Sequence, residues 1–180
     1  GVTKDDILKW KIGFCKDGEY AGRVVIPSFN ENGYANYYVA RSYGFEWPKY
    51  KNPPASRDII FNELYVNWNE DLVIVEGVFD AIKAGNGIPL LGSTLREGSA
   101  LFQAIVKNGN RVYLALDEDA SKKTRSIIRL LQRYGVEVYE VDTSGVEDVG
   151  DMSKEDFQSR KDNAAIVEKD NYLLQRLSAI

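Results

Sequence analysis

From residue 71 onward, short apolar runs rich in β-branched residues alternate with longer stretches of mixed polarity. Four of the apolar runs have the length and composition of buried strands, at residues 72–75, 88–91, 111–116 and 136–141. Three stretches between them have helical character, at about residues 79–84, 99–107 and 120–134. The alternation predicts an α/β fold with a four-stranded parallel sheet flanked by helices.

Residues 1–70 follow a different pattern. Two apolar segments, 23–27 and 35–40, are separated by Asn-Glu-Asn-Gly, a sequence typical of a hairpin turn. Antiparallel strands are therefore expected here, together with short helices near residues 5–10 and 61–68. We predict a smaller mixed α+β subdomain, the parallel α/β domain and a C-terminal helical tail, at residues 1–70, 71–155 and 156–180.

Composition limits the chemistry that is available to the chain. It has one cysteine, Cys15, and no histidine, which excludes an internal disulfide and a Cys/His zinc site. Catalytic sites of the Ser-His-Asp and Cys-His types are excluded as well, so that carboxylates, lysine, tyrosine and serine remain. No apolar run approaches the roughly 20 residues that span a bilayer, and no secretory segment is visible. We therefore expect a protein without membrane contacts, and the lack of targeting signals is one of the two grounds, with the resemblance given below, for expecting it in the cytoplasm.

Two acidic motifs follow predicted strands of the parallel sheet. Val-Glu-Gly-Val-Phe-Asp ends the first strand and contains Glu76, and Leu-Asp-Glu-Asp ends the third and contains Asp117 and Asp119. The carboxyl ends of parallel strands lie at one edge of the sheet, where open α/β folds bind ligands. These carboxylates meet if the first and third strands are neighbours. Oxygen ligands on strand ends suit a hard divalent cation such as Mg²⁺ and phosphoryl chemistry.

Each motif alone has a simpler explanation, because acidic residues are common at the starts of helices. Their conjunction favours a site, since Asp117 and Asp119 point the same way from an extended segment and neighbouring carboxylates repel unless a cation neutralises them. A further acidic segment, residues 147–151, follows the fourth predicted strand. It either adds Asp148 and Asp151 to this edge of the sheet or is an ordinary solvent-exposed loop. Asp80 is expected to cap the first helix of the α/β domain rather than to bind metal.

Two further segments have candidate roles in binding nucleotide or nucleic acid. The turn around Ser93 either presents backbone N–H groups to a phosphate or is a plain turn. Residues 41–57 contain four basic residues and one acidic residue, although the whole chain has a net charge of −4. Together with the rings between them, Arg41, Lys49 and Lys51 have the composition of a platform for single-stranded nucleic acid. The alternative is ordinary packing of the tyrosine and tryptophan rings.

The order and spacing of the acidic motifs resemble the Toprim domain, which DnaG-type primases, type IA and II topoisomerases and several nucleases share. The resemblance rests on Val-Glu-Gly-x-x-Asp, followed about forty residues later by hydrophobic-Asp-x-Asp. Three upstream segments resemble the catalytic core of DnaG-type primases, including phage-type members, at residues 22–27, 40–42 and 48–53. The chain departs from the family at Glu118 and Ser121, where glycine is frequent, and at Asn62, where a basic residue is common.

The resemblance implies a DNA primase core, which synthesises short RNA primers from NTPs on a single-stranded DNA template during DNA replication. It implies a site for Mg²⁺ or Mn²⁺ in which Glu76, Asp117 and Asp119 are catalytic, with the ligands Glu76, Asp117, Asp119, Asp148 and Asp151. The candidates for nucleotide and DNA contacts are Arg41, Lys49, Lys51 and Ser93. Family primases also carry a zinc module and a region that contacts the replicative helicase, and we expect both either to be lost or to lie on flanking chain.

Alternatives to this interpretation stay open. A Toprim nuclease or a topoisomerase-like domain would share the metal site but would cleave DNA. A noncatalytic module would bind nucleic acid or nucleotide without turnover. Within a primase, Glu76 acts either as a metal ligand or as the general base for the 3′-hydroxyl.

Overall fold

The structure, a computed structural model, describes residues 2–146 and 148–168. The chain divides into two compact units, one that ends at Val66 and one that begins at Asn67. The last part of the predicted helical tail, residues 169–180, lies outside the described residues, as does Glu147. No helix in the described part is long and apolar enough to cross a membrane.

The first unit contains a short helix and an antiparallel sheet: α1 (Lys4–Lys9), β1 (Gly13–Cys15), β2 (Arg23–Phe29) and β3 (Ala35–Ser42). The sheet order is β1-β2-β3. The predicted hairpin is confirmed as β2 and β3, and each strand extends two residues beyond its predicted end. Asn30 shapes the turn, because its side-chain oxygen accepts the N–H groups of Asn32 and Tyr34 at 3.1 and 2.9 Å.

The helix predicted at residues 61–68 is wrong, since only a single 3₁₀ turn forms there, Glu63–Tyr65. Asn62 precedes this turn in a left-handed conformation with φ 55°. It is buried, its N–H donates to Oγ of Ser28 at 2.9 Å, and its side-chain oxygen accepts the N–H of Phe29 at 3.1 Å. Side-chain hydrogen bonds of this kind compete with helix formation and tie the segment to β2.

The second unit contains the parallel sheet expected from the sequence. Its strands in chain order are β4 (Leu72–Val75), β5 (Gly87–Pro89), β6 (Val112–Ala115), β7 (Val138–Glu140) and β8 (Ala165–Ile166). They lie in the order β5-β4-β6-β7-β8, and β8 is antiparallel to β7 at the edge. The four parallel strands confirm the predicted α/β fold, and β4 and β6 are the neighbours that convergence of the acidic motifs requires.

Helices accompany this sheet, in chain order α2 (Val78–Lys83), α3 (Ala100–Asn108), α4 (Ser121–Arg133) and α5 (Lys154–Asp162). Every residue of β4 has 0% exposure, as expected for a central strand covered on both faces. On α4, Ile127 and Leu131 are buried, whereas Tyr134, the residue that caps its carboxyl end, is 43% exposed. The packed core fixes the ends of β4 and β6, from which the acidic residues follow.

Candidate metal and nucleotide site

Glu76 follows β4 and contacts a lysine of α4. Its side chain is 18% exposed, and Oε2 accepts a hydrogen bond from Nζ of Lys123 at 2.6 Å. The other oxygen, Oε1, is buried and has no hydrogen-bond partner among the described residues. Buried polar atoms are nearly always paired, because an unpaired acceptor loses its hydration without compensation. Glu76 therefore has an acceptor that a cation would satisfy.

Asp117 and Asp119 follow β6, the strand next to β4. Val75 and Ala115 are partners in the parallel ladder, so the chain segments that carry the two motifs leave the sheet side by side. Asp117 precedes a 3₁₀ turn but makes no side-chain capping bond, and α4 begins after Ala120 without a side-chain cap. Helix capping therefore does not account for the carboxylate of Asp117.

The charges at this edge of the sheet act on one another. Burial raises the pKa of Asp117, and the negative charges of Glu76, Asp148 and Asp119 raise it further, in that order. The ammonium group of Lys123 opposes them. Solvent and salt screen distant charges, so acids that act on one another lie in the same part of the protein. Glu76, Asp117, Asp119 and Asp148 are here called the acidic cluster.

Asp80 on α2 connects the acidic cluster to the loop after β7. Its Oδ2 accepts the N–H of Gly77 at 2.8 Å, which confirms its predicted role as a cap of this helix. Its Oδ1 accepts the N–H of Gly150 at 2.9 Å. Burial raises the pKa of Asp80 to about 6, even though both hydrogen bonds favour the ionised form. Asp80 thereby links the turn that carries Glu76 to the loop that carries Asp148.

The acidic loop contributes one clear member to the acidic cluster. Asp148 starts the 3₁₀ turn Val149–Asp151, and its Oδ1 accepts the N–H of Asp151 at 3.1 Å. Its charge is among the main influences on both Asp117 and Asp80. Asp151 is exposed and is not among those main influences. A role for Asp151 in metal binding stays a prediction.

The donor set of the acidic cluster fits a hard divalent cation such as Mg²⁺ or Mn²⁺. All of its ligands are oxygens, and Oε1 of Glu76 is buried without a partner among the described residues. Among the side chains that the structure describes, however, no three acidic, histidine or cysteine residues lie close enough together to hold a metal ion. Ligation by three carboxylates therefore requires side-chain rotation, and a cation that took both oxygens of Glu76 would replace Lys123.

Sequence reasoning missed Lys123. It lies in the first turn of α4 and reaches Glu76 across 47 positions of sequence. The available signal was its position on the helix that directly follows Asp-x-Asp, because a cation there lies near the carboxyl ends of the strands.

A pocket of about 400 Å³ adjoins Asp117. Its walls include Ser121 and Thr124 from the start of α4, and Asp142 and Thr143 from the segment after β7. The volume lies within the range of sites that hold small molecules. Hydroxyl and carboxylate groups thus share the walls of this space with apolar residues such as Leu114 and Leu116.

Ser93 lies in the turn that follows β5. Its N–H and its hydroxyl both donate to the carbonyl of Leu90, at 3.0 and 2.5 Å. Leu91 and Gly92 both have positive φ, so the chain reverses tightly here. This geometry favours the plain-turn alternative for Ser93, and its contact with nucleotide stays a prediction.

The three basic candidates of the first unit have different surroundings. The guanidinium carbon of Arg41 lies 5.7 Å from the ring centroid of Tyr50. Lys51 pairs with Glu19 at 2.8 Å, so that part of its charge is neutralised within the unit. Lys49 is exposed. Of these cations, Lys49 offers the most accessible charge to a phosphate.

Comparison with known proteins identifies relatives of this chain. No family model matches it. It is similar to the DNA primase of Thermotoga maritima, with 30% identity over 137 residues. The match covers 66% of this chain and 24% of the T. maritima protein, so the chain spans about a quarter of the length of that relative.

Solved structures share the fold. The structure of the Aquifex aeolicus primase, with its zinc-binding and RNA polymerase domains, has a TM-score of 0.77 and 21% identity over 93% of this chain and 54% of that chain. A DnaG primase catalytic domain bound to single-stranded DNA has a TM-score of 0.75 and 18% identity, over 92% and 69%. The chain has the fold of the catalytic core of DnaG-type primases, and the predicted resemblance is confirmed.

Proposed function

We propose that this chain, which has the fold of DnaG-type primase cores, synthesises short RNA primers on single-stranded DNA. The observation that carries the proposal is the acidic cluster, in which Glu76, Asp119 and Asp148 all act on Asp117 at the carboxyl edge of the parallel sheet. A relative that is a DNA primase and a similar structure that binds single-stranded DNA support it. The activity belongs to the nucleotidyltransferases.

The acidic cluster would hold Mg²⁺ or Mn²⁺. The proposed catalytic residues are Glu76, Asp117 and Asp119, and the further ligands are Asp148 and Asp151. A bound divalent cation supplies charge neutralisation at phosphate oxygens, which is the main requirement of phosphoryl transfer. Lys123 fixes one oxygen of Glu76 and offsets part of the negative charge around Asp117. Asp80 keeps the loop of Asp148 next to the turn of Glu76.

In the proposed reaction, the 3′-hydroxyl of the primer attacks the α-phosphorus of the incoming NTP. The new phosphorus–oxygen bond forms as the bond to the β-phosphate breaks, and pyrophosphate leaves. The hydroxyl proton needs an acceptor, and Glu76 offers a buried oxygen without a partner among the described residues if it is not bound by metal at that step. The proposed contacts with template or triphosphate come from Arg41, Lys49, Lys51 and Ser93.

The proposed activity places the chain in DNA replication. We expect it to act on a template that a replicative helicase exposes. Its location would then be the cytoplasm of a bacterial or phage-infected cell.

The reaction catalysed by the wild-type chain tests the proposal. Mixed-sequence single-stranded DNA is incubated with labelled NTPs and Mg²⁺ or Mn²⁺, and products are resolved by length. Short labelled products that require both NTPs and metal are expected. Metal-dependent cleavage of the DNA without NTPs would contradict primer synthesis and favour a nuclease. Binding of DNA and nucleotide without turnover in either metal would replace it with a noncatalytic module.

A further inference from the structure

After β3, residues 43–48 form a surface loop whose two ends are hydrogen-bonded to each other, here called the aromatic loop. Ser42 donates its N–H to the carbonyl of Lys49 at 2.8 Å, which closes the base of the loop. The hydroxyl of Ser42 donates to Oε2 of Glu46 at 2.7 Å and accepts the N–H of Gly44 at 3.2 Å. The first bond joins the two ends of the loop, and the other two tie Gly44 and Glu46 to the end of β3.

Three rings of the aromatic loop are exposed. Tyr43, Phe45 and Trp47 have 68%, 106% and 89% of their surface accessible. In the sequence they alternate with Gly44 and Glu46, so the three rings are the large apolar side chains of residues 43–47. Single exposed apolar residues are ordinary, but several in one short loop mark a surface that binds something.

Cations and further rings border the aromatic loop. Phe14 of β1 packs edge-on against Tyr43 with ring centroids 5.0 Å apart, and it is itself 48% exposed. On the return side, Arg41 lies 5.7 Å from the centroid of Tyr50, and Lys49 is exposed. The patch therefore combines accessible ring surfaces with positive charge.

We propose that the aromatic loop stacks on unpaired bases of a single-stranded nucleic acid, while Arg41 and Lys49 contact its phosphates. The inference rests on the proposed function, because it takes the bound strand to be the template. Every base has a face that stacks on an aromatic ring, and cations beside the rings match the charged backbone. Residues 41–50 carry two cations, Arg41 and Lys49, and one acid, Glu46, so the charge of the patch favours a phosphate backbone as its partner.

Trp47 provides the readout. It is 89% exposed, whereas Trp10 is 5% exposed and Trp68 is partly buried, so quenching by a bound oligonucleotide reports mainly on the aromatic loop. A short oligothymidylate is compared with an abasic oligonucleotide of equal length and charge, without NTPs or divalent metal. Affinities of the variants are measured by anisotropy of the labelled oligonucleotide.

The variants separate stacking from charge. Phe45→Ala and Trp47→Ala remove rings, and Trp47→Phe keeps one. Tyr34→Ala is the matched control, because Tyr34 is a 72% exposed ring in the turn at the other end of the β2–β3 hairpin. Lys49→Ala removes a cation and leaves the rings. Exposed side chains contribute little to stability, so unchanged thermal midpoints are expected for all five variants.

Removal of either ring is expected to weaken oligothymidylate binding by about 5-fold to 100-fold. Trp47→Phe and Tyr34→Ala should bind like the wild type, and the abasic strand should bind the wild type at least as weakly as oligothymidylate binds the single-ring variants. The slope of log affinity against log salt should stay unchanged in the ring variants, whereas Lys49→Ala should reduce it by about 1.

The outcomes separate this inference from the proposed function. Equal binding of the normal and abasic strands, or full affinity of Phe45→Ala and Trp47→Ala, would overturn stacking and leave primer synthesis untouched. Ring-dependent binding by a chain that makes no primer would support the stacking surface and overturn the proposed function.

Discussion

Replacement of Lys123 with methionine is predicted to destabilise the metal-free protein. Nζ of Lys123 lies 2.6 Å from Oε2 of Glu76, and the two side chains are 22% and 18% exposed. The variant leaves Glu76 unpaired beside Asp117, whose pKa is already raised by burial and by Glu76. Removal of one partner of a fully buried ion pair costs about 3–5 kcal/mol, and partial solvent access reduces this to roughly 2–3 kcal/mol here.

Urea unfolding followed by circular dichroism measures the effect, once in EDTA and once in excess Mg²⁺. We expect Mg²⁺ to stabilise Lys123→Met more than the wild type, because the cation replaces the missing positive charge and binds only the folded state. Lys122→Met is the matched control, since Lys122 is the exposed neighbour on α4. The double variant with Glu76→Gln should lose most of the destabilisation, because no unpaired carboxylate remains at position 76.

Two results would refute this reasoning. If Lys123→Met were as stable as the wild type in EDTA, the ion pair would not offset the repulsion within the acidic cluster. If its destabilisation were the same with and without Mg²⁺, the lysine and the cation would not act on the same carboxylates.

The remaining predictions concern the parts that position the site. The pKa of Asp80 is raised from 3.8 to about 6 by burial, so the folded state holds its proton more tightly than the unfolded state and stability should fall as pH rises through this window. Relative to Asp80→Asn, the wild type should lose up to about 3 kcal/mol between these pH values and then level off, and a flat difference in urea unfolding would contradict this. Gly87→Ala should cost about 1–3 kcal/mol, because its Cβ would lie 2.8 Å from the backbone of Ala81 on α2. Urea unfolding measures this loss, and Gly98→Ala, whose Cβ meets nothing within 4 Å, should be nearly neutral in the same assay.

The parallel sheet and the meeting of its acidic motifs follow from local pattern. Short apolar runs rich in β-branched residues predicted β4 and β6, and a ligand site at the carboxyl edge of the sheet then followed from topology. Long-range contacts were out of reach. The bond between Asp80 and Gly150 spans 70 positions, and the pair of Glu76 and Lys123 spans 47. Helix and strand periodicity concerns neighbouring residues, so it cannot predict contacts at such separations in sequence.

The wrong helix at residues 61–68 has a specific cause. The buried side chain of Asn62 accepts the N–H of Phe29 in β2, and the left-handed backbone of Asn62 stops a helix from starting there. Propensity is a weak signal where a polar side chain finds a tertiary partner.

Primer synthesis by Asp117→Asn tests the central claim, that the acidic cluster is the catalytic centre of a primase, most directly. The matched control is Glu137→Gln, which removes an exposed acid just before β7. In Mn²⁺ with labelled NTPs and single-stranded DNA, Asp117→Asn is predicted to lose NTP-dependent product by roughly 100-fold or more while Glu137→Gln keeps it. Wild-type product levels from Asp117→Asn would contradict the account.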